Sequence, residues 1–281
     1  MLALGGCTDE PEEVVRTSGA LAEGFEIEPG SGLVGAVFPL GYGAGHQAVL
    51  RVDEDLPSVF ERYVQQAEDL GHPLESGYPR RPEGQWCSDP DDVDNDQIVG
   101  EDASDDDPRE GPFEVECTAF DLALDEQSVS VRGLADSAGR GYIHLRVQRS
   151  FDPEEPPPLA SDGPVASATD DEIATDLTPH EEPPVRLVEG SELLSEPFPA
   201  TCITGGYVAV LHVTDELVPV MRGYLQQFTD AGFTVEGLAG EGLAGDDDQV
   251  SVYTSAAGGG GLSAIGVAGD PSYVLIERCN D

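Results

Sequence analysis

Lysine is absent from this chain: all 13 of its basic residues are arginines, set against 56 aspartates and glutamates. The formal net charge of −43 repels the phosphates of nucleic acids and the headgroups of anionic lipids. We therefore expect no nucleic acid partner. No run of about 18 apolar residues occurs either, so the sequence predicts no membrane-spanning helix.

Motifs of nucleotide hydrolysis and of nucleophilic catalysis are also missing. The chain contains no GxSxG elbow and no GxxxxGK[ST] loop. None of its five histidines recurs at a matching place in the repeat described below: His46, His72, His144, His180 and His212. We therefore predict no catalytic residue and no enzyme. A hydrolase without a recognisable motif is the alternative.

Cysteine is scarce, with five residues in the whole chain. Four of them lie two in each half of the chain: Cys87, Cys117, Cys202 and Cys279. Four cysteines allow three disulfide connectivities, and we favour Cys87–Cys117 and Cys202–Cys279, which keep each bridge within one half. Such bridges indicate an oxidising compartment. Zinc binding is the competing role, but no CxxC pair or nearby histidine spacing supports it.

The fifth cysteine follows a leucine and two small residues. This stretch, Leu4-Gly5-Gly6-Cys7, resembles the lipobox of bacterial lipoproteins. The resemblance implies that a signal peptide is removed before Cys7, that Cys7 is lipidated, and that the protein is anchored on the extracytoplasmic face of the cell membrane. Only six residues precede Cys7. A signal peptide needs an apolar stretch of about 7–15 residues, so we expect the true start to lie upstream.

The negative charge is concentrated in three segments. Residues 8–29 carry seven acids and one arginine (net −6), residues 72–112 carry 13 acids and three arginines (net −10), and residues 151–185 carry ten acids and no base (net −10). The last segment also holds eight prolines. Such compositions are typical of extended, solvated spacers, and we expect a flexible tandem of two domains. The predicted divisions are a truncated signal and acidic tether at 1–29, a first domain at 30–150 with an acidic insertion at 72–112, a linker at 151–185 and a second domain at 186–281.

A strand-then-helix phrase occurs twice in the chain. LRVDEDLPSVFERYVQQAEDLG at 50–71 returns as LHVTDELVPVMRGYLQQFTDAG at 211–232. Further matches follow in the same order: Gly30-Ser31 with Gly190-Ser191, 113–117 with 233–237, and 141–147 with 261–267. A collinear series of this kind predicts a duplicated domain.

Each copy is predicted to be one helix packed on a small antiparallel sheet, in the order β-α-β-β-β. Short β-branched runs precede a helix whose apolar residues recur at helical spacing, and Gly71 or Gly232 follows it. Strand-like segments come next, and the second copy has one extra closing strand, YVLIER. We therefore predict an α+β protein made of two duplicated units.

An alternating trio of aspartates is the candidate metal site. Asp92, Asp94 and Asp96 are spaced like the first ligands of a calcium loop, but Gln97 and Ala103 stand where that loop needs a glycine and a glutamate. The match to a calcium loop is therefore partial: we favour a solvated acidic loop, with calcium binding as the alternative, and we expect no other cofactor.

Polar residues shared by both copies are the candidate binding positions. Gln65-Gln66 and Gln226-Gln227 are identical in the two helices, and they indicate either a common recognition surface or hydrogen bonds to the sheet margin. Trp86, beside Cys87, is either an anchor packed on a disulfide or an exposed contact in the insertion.

Together these features predict an exported, lipid-anchored protein that acts as a non-catalytic binding or envelope-interaction module. Its expected partners are the membrane, through the lipid, and a protein or envelope ligand. A calcium-dependent binding protein that uses the acidic insertion is a further alternative.

Overall fold

The computed structural model describes residues 15–40, 45–76, 86–88, 113–121, 127–136, 140–149, 164–167, 185–194, 197–199, 206–241, 249–255 and 261–279. Within these ranges the chain forms two antiparallel sheets and two helices, which confirms the predicted α+β class. Neither helix in these ranges is long and apolar enough to cross a bilayer.

The first half of the chain forms an eight-stranded sheet and one helix. Its elements are β1 (Val15–Arg16), β2 (Ser31–Val34), β3 (Phe38–Pro39), β4 (Gly45–Val52), α1 (Leu56–Asp69), β5 (Glu75–Ser76), β6 (Phe113–Phe120), β7 (Gln127–Asp136) and β8 (Gly141–Arg149). The strand order across the sheet is β1-β2-β4-β8-β7-β6-β5, and β3 also pairs with β4.

The second half forms a seven-stranded sheet and one helix. Its elements are β9 (Ser191–Leu193), β10 (Phe198–Pro199), β11 (Gly206–Val213), α2 (Leu217–Asp230), β12 (Thr234–Glu241), β13 (Gln249–Ser255), β14 (Gly261–Val267) and β15 (Ser272–Cys279). The strand order is β10-β11-β15-β14-β13-β12, and β9 also pairs with β11. In both sheets the last strand of the half lies beside the strand that leads into the helix.

Both helices end as the sequence predicts, at a glycine in the left-handed region. Gly71 has a φ of 93° and Gly232 a φ of 89°, values that residues with a Cβ rarely adopt. At the other end of α1, the Asp55 carboxylate accepts a hydrogen bond from the backbone N–H of Ser58 at 3.1 Å. That bond satisfies one of the unpaired N–H groups of the first turn.

Each sheet buries one face against its own helix. In the first half, the helix residues packed on the sheet are Leu56, Val59, Phe60, Tyr63, Val64 and Ala67. In the second half, they include Leu217, Val220, Met221, Tyr224 and Phe228. These two clusters are the separate cores that the helical spacing of apolar residues predicts.

The other faces of the two sheets pack on each other. Nine buried apolar side chains from both halves form one cluster there, called the inter-sheet core below: Val34, Phe38, Val49, Leu134, Val208, Val210, Ile265, Tyr273 and Leu275. The expected flexible tandem is therefore wrong for the described residues, which form four layers in the order helix, sheet, sheet, helix. The physical reason is that both sheets also carry apolar residues on the second face, most densely on β11 and β15, so that this face must be buried as well.

The closing strands of the two halves correspond differently from the sequence match. β8 pairs with β4 in the register Val52 to Gly141, and β15 pairs with β11 in the register Val213 to Ser272. β8 thus occupies the place of β15, whereas the sequence match had aligned Gly141 with Gly261 in β14. The closing strand YVLIER is therefore no addition to the second half.

The predicted order also lacks the short strands β2, β3, β9 and β10 before the helices, and β5 after α1.

A short piece of the predicted linker lies against α2. The backbone N–H of Ala166 donates to the carbonyl of Pro219 at 3.1 Å, and the N–H of Glu189 donates to the carbonyl of Ser167 at 2.8 Å. A Cβ on Gly223 would come within 2.6 Å of the Ala166 carbonyl oxygen. The absence of a side chain at Gly223 therefore lets residues 164–167 approach the helix this closely.

Candidate functional site

The second glutamine of each pair binds the backbone of its own chain. The side-chain amide of Gln66 accepts from the N–H of Glu26 at 2.9 Å and donates to the carbonyl of the same residue at 3.2 Å. Gln227 does the same with Arg186, at 2.9 and 2.8 Å. The amide thus imitates one rung of a β-ladder and holds the extended segment that enters each half.

The first glutamine of each pair points to the outside of its helix. Gln65 donates to the Asp69 carboxylate at 3.0 Å, and Gln226 donates to Asp230 at 2.7 Å. Each contact joins residues four apart on one helix face, a geometry that contributes a few tenths of a kcal/mol. The structure therefore separates the two members of each pair, one bridging to an entering segment and one lying along the helix surface.

A tyrosine and a serine form the same buried contact in both halves. The Tyr63 hydroxyl lies 2.8 Å from the Ser31 hydroxyl, and the Tyr224 hydroxyl lies 3.0 Å from that of Ser191. Each serine hydroxyl also donates to a backbone carbonyl, so the tyrosine is the donor in the pair. Burial raises the pKa of the Tyr63 phenol, and it raises the pKa of Tyr224 to about 12, so both phenols stay protonated.

These tyrosine–serine hydrogen bonds hold each helix to its sheet. The same phenol oxygens accept from the backbone N–H of Glu28 at 3.0 Å and of Val188 at 3.3 Å. The hydrogen bonds of both phenols are thus made to groups of this chain. The repeated Gly-Ser dipeptide before each helix could have pointed to these serines, but the sequence analysis gave them no role.

The predicted Cys87–Cys117 disulfide is present. Its sulfurs are 2.01 Å apart, and it joins the insertion to the middle of β6. Backbone bonds reinforce the junction, since Thr118 donates to the Trp86 carbonyl at 3.0 Å and Ser88 donates to that of Glu116 at 2.8 Å. Trp86 is half-buried and packs against the first core. Its position favours the interpretation as an anchor beside the disulfide.

The other predicted site residues can be placed only in part. Cys279, at the end of β15, is also disulfide-bonded. Its predicted partner Cys202 lies outside the described residues, so that pairing stays a prediction. The lipidation site Cys7 and the calcium candidates Asp92, Asp94 and Asp96 lie outside them as well.

A buried histidine lies on the face of the first sheet that meets the second. His144 and Gln47 are only 0% and 1% exposed, and Nε2 of His144 lies 3.0 Å from the amide oxygen of Gln47. Their neighbours along the strands, Ile143 and Leu145 beside His144, point instead into the first core. Burial, with Arg146 and Arg132 nearby, lowers the pKa of His144 to about 3, so the ring is neutral at pH 7.

The remaining described histidines lie apart from one another. Nδ1 of His72 is 3.3 Å from the buried Asp121 carboxylate, and Nδ1 of His46 is 3.5 Å from Glu23. The His212 ring lies 6.0 Å from that of Tyr273. A histidine and a carboxylate form part of many hydrolytic sites, but a nucleophile must stand within hydrogen-bond reach of the histidine. No hydrogen bond joins His72 to a serine or cysteine among the contacts of the described residues.

One shallow depression lies on the described surface of the first half. This apolar depression between β4, β8 and residues 21–22 has a volume of about 10 Å³, enough for about one water molecule. No group of three or more histidines, cysteines or acids that could hold a metal ion occurs in the part of the chain that the structure describes.

Comparison of the chain with protein-family models, with curated proteins and with solved structures gave no match.

Proposed function

We propose that this chain is an exported, lipid-anchored protein that works as a non-catalytic binding or envelope-interaction module. Cys7 would carry the lipid, the acidic residues after it would form a tether, and the two-sheet body would meet a protein or envelope ligand. The Cys87–Cys117 disulfide is the observation that supports this location most strongly. Disulfides persist in oxidising compartments, and the thiol pools of the cytosol reduce them.

The polar residues that both halves share have structural roles, so the binding surface of the proposed module lies elsewhere. Gln66, Gln227, Tyr63 and Tyr224 recur in both halves, and their side chains bind backbone or side-chain groups of this chain. A residue that holds the chain segment before the first strand of each half by hydrogen bonds has a structural reason to recur. The outer helix faces and the sheet edges are then the surfaces left for a partner.

We also propose that the two halves descend from one duplicated unit. Besides the matching contacts of the glutamines and tyrosines, a glycine without room for a side chain lies beneath each helix. A Cβ on Gly133 would come within 2.9 Å of Phe60, and one on Gly266 within 2.8 Å of Leu217. These glycines lie in β7 and β14, which occupy equivalent places in their two sheets: β7 lies between β8 and β6, and β14 lies between β15 and β13. Descent from one unit explains why both positions are glycine.

Metabolic labelling tests the proposed anchor. The gene, expressed together with its upstream region in a bacterial host, should give a protein that incorporates labelled palmitate and fractionates with membranes. The Cys7→Ser variant should lose the label, while a Cys87→Ser/Cys117→Ser variant should keep it. Absence of label on the wild-type protein would refute lipid anchoring.

A further inference from the structure

The two halves carry opposite charges at one equivalent position of their sheets. Arg146 lies five residues after Gly141, which pairs with the last residue of β4, and Glu277 lies five residues after Ser272, which pairs with the last residue of β11. The two residues therefore occupy the same place on β8 and on β15. This equivalence follows from strand register alone.

These two side chains meet between the sheets. Nη1 of Arg146 lies 3.5 Å from Oε1 of Glu277, and the Glu277 side chain is only 8% exposed. In a pairing of two like subunits, a residue that contacts its own equivalent lies on the two-fold axis. The Arg146–Glu277 contact thus marks the approximate two-fold axis between the halves.

Other equivalent positions near this axis also differ in polarity. Gln47 pairs with Arg146 across β4 and β8, and Val208 pairs with Glu277 across β11 and β15. His144 similarly corresponds to Leu275, three residues after Gly141 and Ser272 respectively. The first sheet therefore presents hydrogen-bonding and cationic groups where the second presents apolar groups and a carboxylate.

This asymmetry disfavours symmetric pairing. Two first halves packed in this way would bring Arg146 against another Arg146, and two second halves would bring Glu277 against another Glu277. Like charges forced into a partly desolvated contact weaken association strongly. The mixed pair has no such conflict.

We propose that the inter-sheet face of each half is a pairing surface specific for the other half, with Arg146 and Glu277 as the residues that set this choice. The face of the first half selects a partner that presents a carboxylate at the axis, and it rejects a second copy of itself. The proposal rests on strand register and contacts, and it stands whether or not the protein is lipid-anchored.

Cleavage of the linker in the intact protein tests this selectivity. A site for a specific protease is inserted between residues 168 and 184 of the full chain, the folded protein is cut, and association of the halves is measured by size-exclusion chromatography and by dilution. The wild-type halves should remain together as a one-to-one complex. Arg146→Glu and Glu277→Arg should each weaken association at least tenfold, and the double exchange should restore most of it.

The double exchange guards against simple misfolding, because it contains both substitutions and yet should pair. Circular dichroism on each uncut variant measures whether the halves remain folded. Equal affinity in all four proteins would overturn the proposal. It would also be overturned if the cut wild-type halves separated and each half formed complexes with further copies of itself. Failure of the double exchange to recover, with both halves folded, would also overturn it.

Discussion

The buried His144 makes the stability of the protein depend on pH. Its folded-state pKa of about 3 lies below the ordinary value of 6.5, so the unfolded chain binds a proton that the folded chain excludes. Stability from this group is therefore complete above pH 6.5 and falls as the pH drops from 6.5 towards 3. The two values imply a loss of about 2 kcal/mol between pH 7 and pH 5, and of about 4 kcal/mol between pH 7 and pH 3.

The double variant Gln47→Val/His144→Leu tests whether His144 causes this pH dependence of stability. It copies into the first sheet the pair Val208 and Leu275 that the second sheet carries, and it removes both partners of the hydrogen bond, so no buried polar atom of that pair is left alone. Urea denaturation at pH 7 and pH 5 gives the free energy of unfolding of each protein. Carboxylates of ordinary pKa remain mostly ionised in this window, which isolates the histidines.

Between pH 7 and pH 5 the wild type should lose about 2 kcal/mol more stability than the double variant. His212→Leu, which removes a half-buried histidine from the second sheet, should keep the wild-type difference and serves as the control. Equal losses in the wild type and the double variant would refute the assignment of His144 to a buried contact between the sheets.

Three further predictions concern contacts that stabilise the fold. Gln66→Ala should lower the free energy of unfolding by about 2 kcal/mol, because two hydrogen bonds to the backbone are lost, whereas Gln65→Ala should change it by under about 0.5 kcal/mol. Equal effects of the two substitutions in chemical denaturation would contradict the different roles given to the two glutamines. Cys87→Ser/Cys117→Ser should cost about 4 kcal/mol from the chain entropy of a bridge that spans 30 residues, and a thermal melt unaffected by reductant would argue against it. Gly223→Ala should displace residues 164–167 from α2, because its Cβ would meet the Ala166 carbonyl oxygen, and limited proteolysis should then cut within those residues faster than in the wild type; an unchanged cut rate would show that the contact does not hold the segment.

Sequence patterns were enough to predict both helices and the longer strands, but not the short strands or the packing of the two sheets on each other. The apolar spacing of the helices and the closing glycines Gly71 and Gly232 follow from local rules, and the structure confirms them. The Cys87–Cys117 pair was favoured only because it keeps the bridge within one half, and it is also present. Face-to-face packing was also encoded, since Val49 and Leu50 are both apolar although they point to opposite faces of β4. The acidic, proline-rich linker suggested separation, yet linker composition does not decide whether the domains at its ends bury apolar faces together.

Two other features depended on strand register, which the sequence left open. The contact between Gln47 and His144 joins residues 97 apart, and nothing local relates them. The matches of 113–117 with 233–237 and of 141–147 with 261–267 are each one strand out of place, since the sheet orders make β6 equivalent to β13 and β8 equivalent to β15. The second match rested on a glycine and two apolar residues at equal spacing, which more than one strand of a sheet can carry. Only the pairing of β8 with β4 resolves which strands correspond.

Face-to-face packing of the two sheets is tested most directly by photo-crosslinking in the intact chain. Tyr142 is half-buried and packs against the inter-sheet core, so a photoreactive phenylalanine analogue at this position should crosslink within the same chain to β14 or β15 of the second half. Mass spectrometry of the digested monomer identifies the joined peptides. Crosslinks confined to the first half, or formed only between separate molecules, would contradict a core shared by the two sheets.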